Sequence, residues 1–370
     1  MKDLDAILRA RAHARGPCVL ATVVAVSGSS YRKPGARMLM GEDGWLAGGV
    51  SGGCLETDIV RKAFFRTSTA PCALRYDSTG EGTEDEGGLS FALGCNGIVD
   101  VLLERFESGA EEALTFAAEA RNLGKRAVVA TVFQGPSHTV GTRWMLRDDG
   151  LEAGHVEGPL GEAVRAAARE ALTQGRTWSG PVGDAQVLME VVEPPHSLVL
   201  FGSGFDVVPV VTQATGLGWR VTVVADRPKE TLRRRFPLAH SVVSAKARDA
   251  AEAVRLTPHS LVVLMTHSLP QDEVLLADLL PRPLRYLGVL GPRARTEKLL
   301  AAMSPAPGDA LLEKLHAPVG LDLGAEGAEE IALSIVAELQ AIVSDRDGGK
   351  LRERRAPIHT VTPPPVRKLA

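Results

Sequence analysis

Leu198-Val199-Leu200-Phe201-Gly202-Ser203-Gly204 is a short apolar run that ends on two glycines. The residues from about Asp206 to Thr215 read as a helix, stopped by Gly216 and Gly218. A strand, then Gly-x-Gly, then a helix opens a dinucleotide-binding βα unit. The first glycine makes the turn, and the second lets backbone approach a pyrophosphate at the helix N-terminus. The acid that would hold a ribose falls at Asp226, about 22 residues after Gly204 and close to the usual ~20. The third glycine of the fingerprint is replaced by Val207, Asp206 adds a negative charge beside the phosphate position, and Ala225 stands where the acid is usual. These defects fit a Rossmann-like fold with a nucleotide, with an altered ligand, or with none.

Outward from that stretch, the chain alternates strand and helix. Strands are expected at Arg220–Val224, Ser241–Val243, Leu261–Met265 and Tyr286–Leu290, and helices at 272–280 and 328–343. Repeated βα units make a parallel, doubly wound sheet. The long helix at 328–343 has an apolar face that suits a core or a dimer interface equally. Thr266-His267 ends one strand, where such sheets bind ligands. His267 is therefore a candidate ligand contact or acid/base group, and equally a hydrogen-bonded structural residue. Arg293 and Arg295, after another strand, are candidates for an anion or for solvated helix-start residues.

Before Glu193-Pro194-Pro195-His196, which reads as a linker, the grammar is α+β. Helices are expected at 4–15, 56–66, 110–121 and 161–173. Strands are expected at 19–26, 36–40, 45–49, 98–103, 127–133 and 186–192. The expected division is 1–192, an α+β domain, 196–345, a Rossmann-like domain, and a flexible basic, proline-rich tail over 346–370. At roughly 150 residues per domain, 370 residues suit that count.

The first region carries two cysteines among glycines: Val50-Ser51-Gly52-Gly53-Cys54-Leu55-Glu56 and Leu93-Gly94-Cys95-Asn96-Gly97. Glycine removes the Cβ and permits positive φ, so a thiol in such a loop is presented to a ligand. Oriented backbone N–H groups favour the thiolate, the form that binds soft metals and sulfur. Cys54 and Cys95 are thus the candidate sulfur ligands, with Ser51, Gly52, Gly53 and Gly94 shaping their loops. Cys18, inside an apolar strand, and Cys72 read as structural. Ser29, Arg32 and Lys33 form a small basic loop that reads equally as a grip for a cofactor phosphate or as a solvated turn. Glu81, Glu84, Asp85 and Glu86 read as a solvated acidic loop rather than a hard-metal site.

Composition narrows the function classes. A net charge of −3 gives no reason to expect nucleic acid or a membrane surface as partner. No apolar run reaches the roughly 18 residues of a membrane span. Four cysteines without a Cys-x-x-Cys pair, and an acidic start without a signal-peptide core, lead us to expect a cytoplasmic protein with free thiols.

Taken in order, these motifs resemble the xanthine dehydrogenase accessory factor family (XdhC/CoxI). The first region does so through Gly28-Ser29-Ser30-Tyr31-Arg32-Lys33-Pro34-Gly35 and the two cysteine loops. The second does so through Asp226-Arg227-Pro228, Met265-Thr266-His267, Tyr286-Leu287-Gly288-Val289-Leu290-Gly291, Pro318-Val319-Gly320-Leu321-Asp322 and Glu329-Glu330-Ile331-Ala332. The resemblance spans about residues 10–345. Where the family usually has Gly-x-Gly-His, this chain has Phe205.

The resemblance implies a chaperone that binds the molybdenum cofactor (molybdopterin) and protects it during sulfuration by a cysteine desulfurase. It then delivers the cofactor to a xanthine dehydrogenase-type molybdenum hydroxylase. Cys54 would be the principal thiolate and molybdenum contact, Cys95 its neighbour or sulfur relay. The pterin phosphate would sit on loop N–H groups or on Arg32. Gly202, Ser203, Gly204, Asp226 and His267 would serve a cofactor moiety or NAD(P), and a homodimer is expected. Two other readings stay open: an NAD(P)-dependent oxidoreductase with His267 near the nicotinamide, and a thiol-based redox or persulfide carrier.

Overall fold

The computed structural model describes residues 2–28, 32–53, 55–78, 89–90, 97–136 and 138–355. The chain divides between Pro194 and Pro195 into two compact units.

The first unit opens with α1 (Lys2–His13), β1 (Cys18–Gly28), β2 (Arg37–Gly41), β3 (Gly44–Gly48) and α2 (Glu56–Arg66). It continues through β4 (Cys72–Asp77), β5 (Leu89–Ser90), β6 (Gly97–Arg105), α3 (Glu111–Asn122), β7 (Ala127–Gln134), β8 (Arg143–Arg147) and β9 (Glu152–His155). It closes with α4 (Gly158–Gln174), β10 (Trp178–Val182) and β11 (Ala185–Val192). Two sheets result, in the orders β3-β2-β1-β6-β4-β5 and β10-β11-β7-β8-β9.

β1 explains the arrangement of the first sheet. Successive side chains of a strand point to opposite faces, and in β1 both faces are covered. Val19, Ala21 and Val23 pack with Ile59 and Ala63 of α2. Cys18 and Leu20 pack with Leu4 and Ile7 of α1 and Leu114 of α3. Its seven leading residues are therefore all buried. Cys18 is part of that core, and burial pushes its thiol pKa up. Cys72 is half-buried in β4, and its thiol is raised by burial as well.

The second unit runs β12 (Ser197–Phe201), α5 (Val207–Gly216), β13 (Arg220–Ala225), α6 (Lys229–Arg235), β14 (Ser241–Ser244), α7 (Ala247–Ala250) and β15 (Leu261–Leu264). It continues α8 (Leu269–Leu279), β16 (Tyr286–Val289), α9 (Arg293–Ala302), α10 (Asp309–Leu312), β17 (Leu315–His316) and α11 (Ala328–Val343). Its strands lie in the order β14-β13-β12-β15-β16-β17, and every pairing is parallel. That is the 3-2-1-4-5-6 order of a doubly wound dinucleotide fold, with its switch point between β12 and β15. One face is covered by α5, α6 and α11, through Val210, Ala214, Leu232, Ile335 and Leu339. The other is covered by α7, α8 and α9, through Ala250, Leu275, Leu279 and Leu299. Val207, in the place of the third fingerprint glycine, is fully buried in the first of these cores. The apolar face of α11 is likewise committed to the unit's own core, while Leu333 stays exposed.

The sheets also contain strands that periodicity did not announce. β10 includes Gly180 and Pro181, which argue against a strand. It lies at a sheet edge, where a proline's missing N–H costs no ladder bond. β9 is mostly exposed and polar, and also lies at an edge. Among the described residues, no helix is long and apolar enough to cross a membrane.

Candidate functional site

In the second unit, β12 ends at Phe201 and the chain turns at Gly202. The Gly202 N–H donates to the Val224 carbonyl at 2.9 Å, and its φ is 142°. A Cβ there would lie 2.1 Å from the Met265 carbonyl oxygen, so only glycine lets these backbones cross. The next residue, Ser203, accepts a hydrogen bond from Arg235 Nη1 at its carbonyl, at 2.5 Å. Together with the ends of β13 and β15 this turn frames a cleft of about 280 Å³. Gly202, Ser203, Asp226, Arg227, Thr266 and Gln271 are among the residues that line it.

Gly204 and His267 lie outside that lining and are joined through Asp206. The His267 Nε2 is 2.9 Å from Asp206 Oδ2. Asp206 Oδ1 is buried and has no partner among the described residues. A Cβ on Gly204 would lie 2.2 Å from that oxygen, so the second fingerprint glycine makes room for the acid. His267 itself has a φ of 58°, the left-handed region.

The loop after β15 is tied down from beneath. Thr266 Oγ1 lies 2.5 Å from Asp272 Oδ1 and accepts the Ser268 N–H at 3.1 Å. Asp272 is 2 % exposed, and Arg295 grips its Oδ2 at 2.7 Å. Arg295 is therefore a part-buried ion-pair partner of Asp272, a role that neither of its sequence readings, anion contact or solvated helix start, anticipated. This Thr266–Asp272–Arg295 chain was not visible in the sequence. Its one signal was the placing of an acid six residues after a threonine at a strand end.

In the first unit, the turn before α2 is organised by Glu56. Its carboxylate accepts the N–H groups of Val50 at 3.2 Å, Ser51 at 2.7 Å and Gly53 at 3.1 Å, and the Ser51 hydroxyl as well. Ser51 Oγ in turn accepts the N–H groups of Gly53 at 3.2 Å and Leu55 at 3.1 Å. Burial works against the Glu56 charge, but these donors outweigh it and hold its pKa below the ordinary carboxylate value. The Val50, Ser51 and Gly53 N–H groups are thus spent on Glu56, and that of Leu55 on Ser51. In the sequence Glu56 stands in the motif without an evident role; an acid opening a helix after a Ser-Gly-Gly turn was the available sign.

Arg32 belongs to the same neighbourhood. Its Nη1 is 3.7 Å from Asp3 Oδ2, and a Cβ on Gly49 would lie 3.5 Å from its Nη2 and 3.6 Å from Glu56 Oε1. Ser51, Gly52, Gly53 and Arg32 are therefore placed, the first three in one turn. Ser29, Cys54, Gly94, Cys95 and the acidic stretch at 81–86 lie outside the described residues. Among the described residues, no three His, Cys, Asp or Glu side chains converge as a metal cage.

Known proteins share this architecture. Residues 11–77 match the XdhC and CoxI family, and residues 198–339 match the XdhC Rossmann domain. A Bacillus subtilis strain 168 protein, named as a probable subunit of xanthine dehydrogenase, is 31% identical over 337 residues, which cover 91% of this chain and 95% of that protein. An uncharacterised Escherichia coli K12 protein, YqeB, is 31% identical over 178 residues, covering 47% of this chain and 32% of its own. A crystal structure described as a xanthine dehydrogenase from Bacillus halodurans superposes with a TM-score of 0.75 at 32% identity, covering 96% of this chain and 98% of that one. With residues 11–77 of the first unit and 198–339 of the second both matched, and near-full-length identity above 30%, the chain belongs to the XdhC and CoxI family.

Proposed function

We propose that this protein is an accessory factor for a xanthine dehydrogenase-type molybdenum hydroxylase. It binds the molybdenum cofactor, shelters it while a cysteine desulfurase sulfurates it, and hands it to the enzyme. The reading includes a cytoplasmic homodimer.

The observation that carries the reading is the Val50–Leu55 turn. Gly53 and Leu55, the neighbours of Cys54 in sequence, are both fixed by hydrogen bonds to Ser51, and Gly53 also to Glu56. Ser51, Gly53 and Leu55 are thus held before any ligand arrives, which lowers the entropy lost when one binds at this turn. The donor chemistry fits the cofactor. Cys54 and Cys95 are soft ligands for molybdenum and sulfur, and Arg32 beside the turn suits the pterin phosphate. Since the Val50, Ser51 and Gly53 N–H groups already serve Glu56, Arg32 rather than these amides is assigned the phosphate. When bound, the cofactor supplies the molybdenum centre that the client enzyme uses. This chain's residues hold and orient it and keep water away.

Anaerobic titration of the molybdenum cofactor against the protein and its Cys54→Ala and Cys95→Ala variants tests this. Stoichiometric binding by the unmodified protein, lost in Cys54→Ala, is the expected result. An unmodified protein that does not bind the cofactor sinks the reading. A depressed Cys54 pKa without cofactor binding would select the persulfide carrier instead, and substrate-linked NAD(P)H oxidation the oxidoreductase.

A further inference from the structure

A second cavity adjoins the cleft of the Rossmann unit. It encloses about 210 Å³ and is lined by Ser203, Arg227, Thr231, Leu232 and Arg235. Ser203 and Arg227 also line the larger cleft, so the two cavities share a wall. The smaller one offers two guanidinium groups and a hydroxyl, and among the described residues no carboxylate lines it. The Arg227 side chain has no hydrogen-bond or ion-pair partner among the described residues. Arg235 uses Nη1 on the Ser203 carbonyl and keeps its other donors. Two arginines converging on one small cavity without a counter-charge are a site for a doubly charged anion.

Its place in the fold says which anion. In a doubly wound sheet, the adenosine ribose of a dinucleotide lies over the end of the second strand, here β13. An acid ending that strand accepts hydrogen bonds from the ribose hydroxyls and repels a phosphate on them. β13 ends instead at Ala225. Asp226 follows one residue later, lines the larger cleft and takes no part in the smaller one. A small residue at the strand end, with arginines just beyond, is the arrangement that admits a ribose 2′-phosphate.

We propose that the joined cavities bind an adenine dinucleotide bearing a 2′-phosphate, with Arg227 and Arg235 on that phosphate and Thr231 as a further donor. The assignment does not rest on the molybdenum-cofactor reading and can fail or hold without it.

Calorimetric titration of the full-length protein with NADP⁺, NAD⁺, 2′,5′-ADP and 5′-AMP tests it, alongside Arg227→Ala. NADP⁺ is expected to bind at least tenfold more tightly than NAD⁺, and 2′,5′-ADP more tightly than 5′-AMP. Arg227→Ala is expected to abolish both preferences, by weakening NADP⁺ and 2′,5′-ADP at least tenfold more than NAD⁺ and 5′-AMP. Because Arg227 is exposed and without a partner among the described residues, the variant should fold, which circular dichroism checks. Equal affinity for NADP⁺ and NAD⁺, no binding of either, or a preference that survives Arg227→Ala overturns the proposal. The pterin cofactor carries a phosphomonoester too. If NADP⁺ fails to bind while Arg227→Ala loses molybdenum-cofactor affinity, the cavity serves that phosphate and the dinucleotide assignment is wrong. Loss of cofactor binding in Cys54→Ala with NADP⁺ binding intact would separate the two sites.

Discussion

The His267 imidazole meets the Asp206 carboxyl at 2.9 Å, beside the turn where a dinucleotide fold holds its pyrophosphate. The bond accounts for two oddities at once. It partners one oxygen of a 10 % exposed carboxyl, and it secures a histidine held at a φ of 58°. Left-handed backbone at a non-glycine residue costs on the order of 1–3 kcal/mol and persists where surroundings enforce it.

From this pair follows a charge prediction. Asp206→Asn removes a negative charge from the phosphate side of the site and should raise dinucleotide affinity about three- to tenfold, up to ~1.4 kcal/mol. His267→Gly leaves Asp206 without its partner while relieving the left-handed strain, and should lower affinity by a similar factor. Calorimetric titration with NADP⁺ reads both. Two variants that match the unmodified protein would remove Asp206 from the binding account.

Gly202 tests the crossing on which the cleft is built. In Gly202→Ala the new methyl would sit 2.1 Å from the Met265 carbonyl oxygen, a backbone atom unable to swing aside. The φ of 142° adds strain for any side chain. A loss above about 3 kcal/mol is expected, the range of severe single substitutions. Urea unfolding compared with Gly216→Ala, where nothing lies within 4 Å, gives the contrast. Equal midpoints for the two variants would contradict the crossing.

The sequence made some of this legible and hid the rest for physical reasons. The second unit could be read in order because parallel strands buried on both faces are continuous apolar runs. Leu198–Phe201 and Leu261–Leu264 are of that kind, and all eight residues are buried. α2 and α11 were readable to the residue, since each buries one helical face. β10 was hidden by Gly180-Pro181, which only an edge position tolerates. The site was half legible. Glycine pairs mark where backbone must turn or cross, so Gly202, Gly204 and the Ser51-Gly52-Gly53 turn stood out. The partners that fix those turns, Glu56, Asp272 and Arg235, are charged residues that look solvated until folding gives them a target. Arg227 and Arg235 converge only because β13 and α6 are joined by a tight Pro228 turn, and spacing alone does not show that.

Glu56 gives a pH prediction. Its pKa is lowered in the fold, so its stabilising contribution is complete above the unfolded carboxyl value of 4.5. It is lost as pH falls through the lowered folded value. The amides of Val50, Ser51 and Gly53 should keep their hydrogen-exchange protection from neutral pH down to the ordinary carboxylate value of 4.5 and lose it only below that. Glu56→Ala should abolish that protection at every pH and weaken molybdenum-cofactor binding at least tenfold, with the circular dichroism spectrum unchanged. Protection that survives Glu56→Ala would mean that Ser51 alone holds the turn.

The two sheets of the first unit are tied by charge as well as by apolar contact. Arg37 of β2 grips both oxygens of Glu190 of β11; one of the two contacts is 2.9 Å, and the residues are 8 % and 4 % exposed. Arg37 also donates to the Gly35 carbonyl at 2.9 Å. Burial disfavours the guanidinium charge, and Glu190 more than restores it, so the Arg37 pKa is raised. Nearby, Arg143 of β8 grips Glu104 of β6, whose second oxygen is buried with no partner among the described residues. Removing one member of a buried pair leaves an uncompensated charge and costs about 3–5 kcal/mol, whereas replacing both with apolar residues is often neutral. Arg37→Met and Glu190→Leu should therefore each destabilise the protein severely, and the double variant should recover most of the loss. Gly35 packs closely on the pair: a Cβ there would lie 2.8 Å from the Glu190 carboxylate. Urea midpoints of the two single variants and the double decide the matter. A double variant no more stable than the singles would show that the pair contributes net stability, and not only compensation of its own burial.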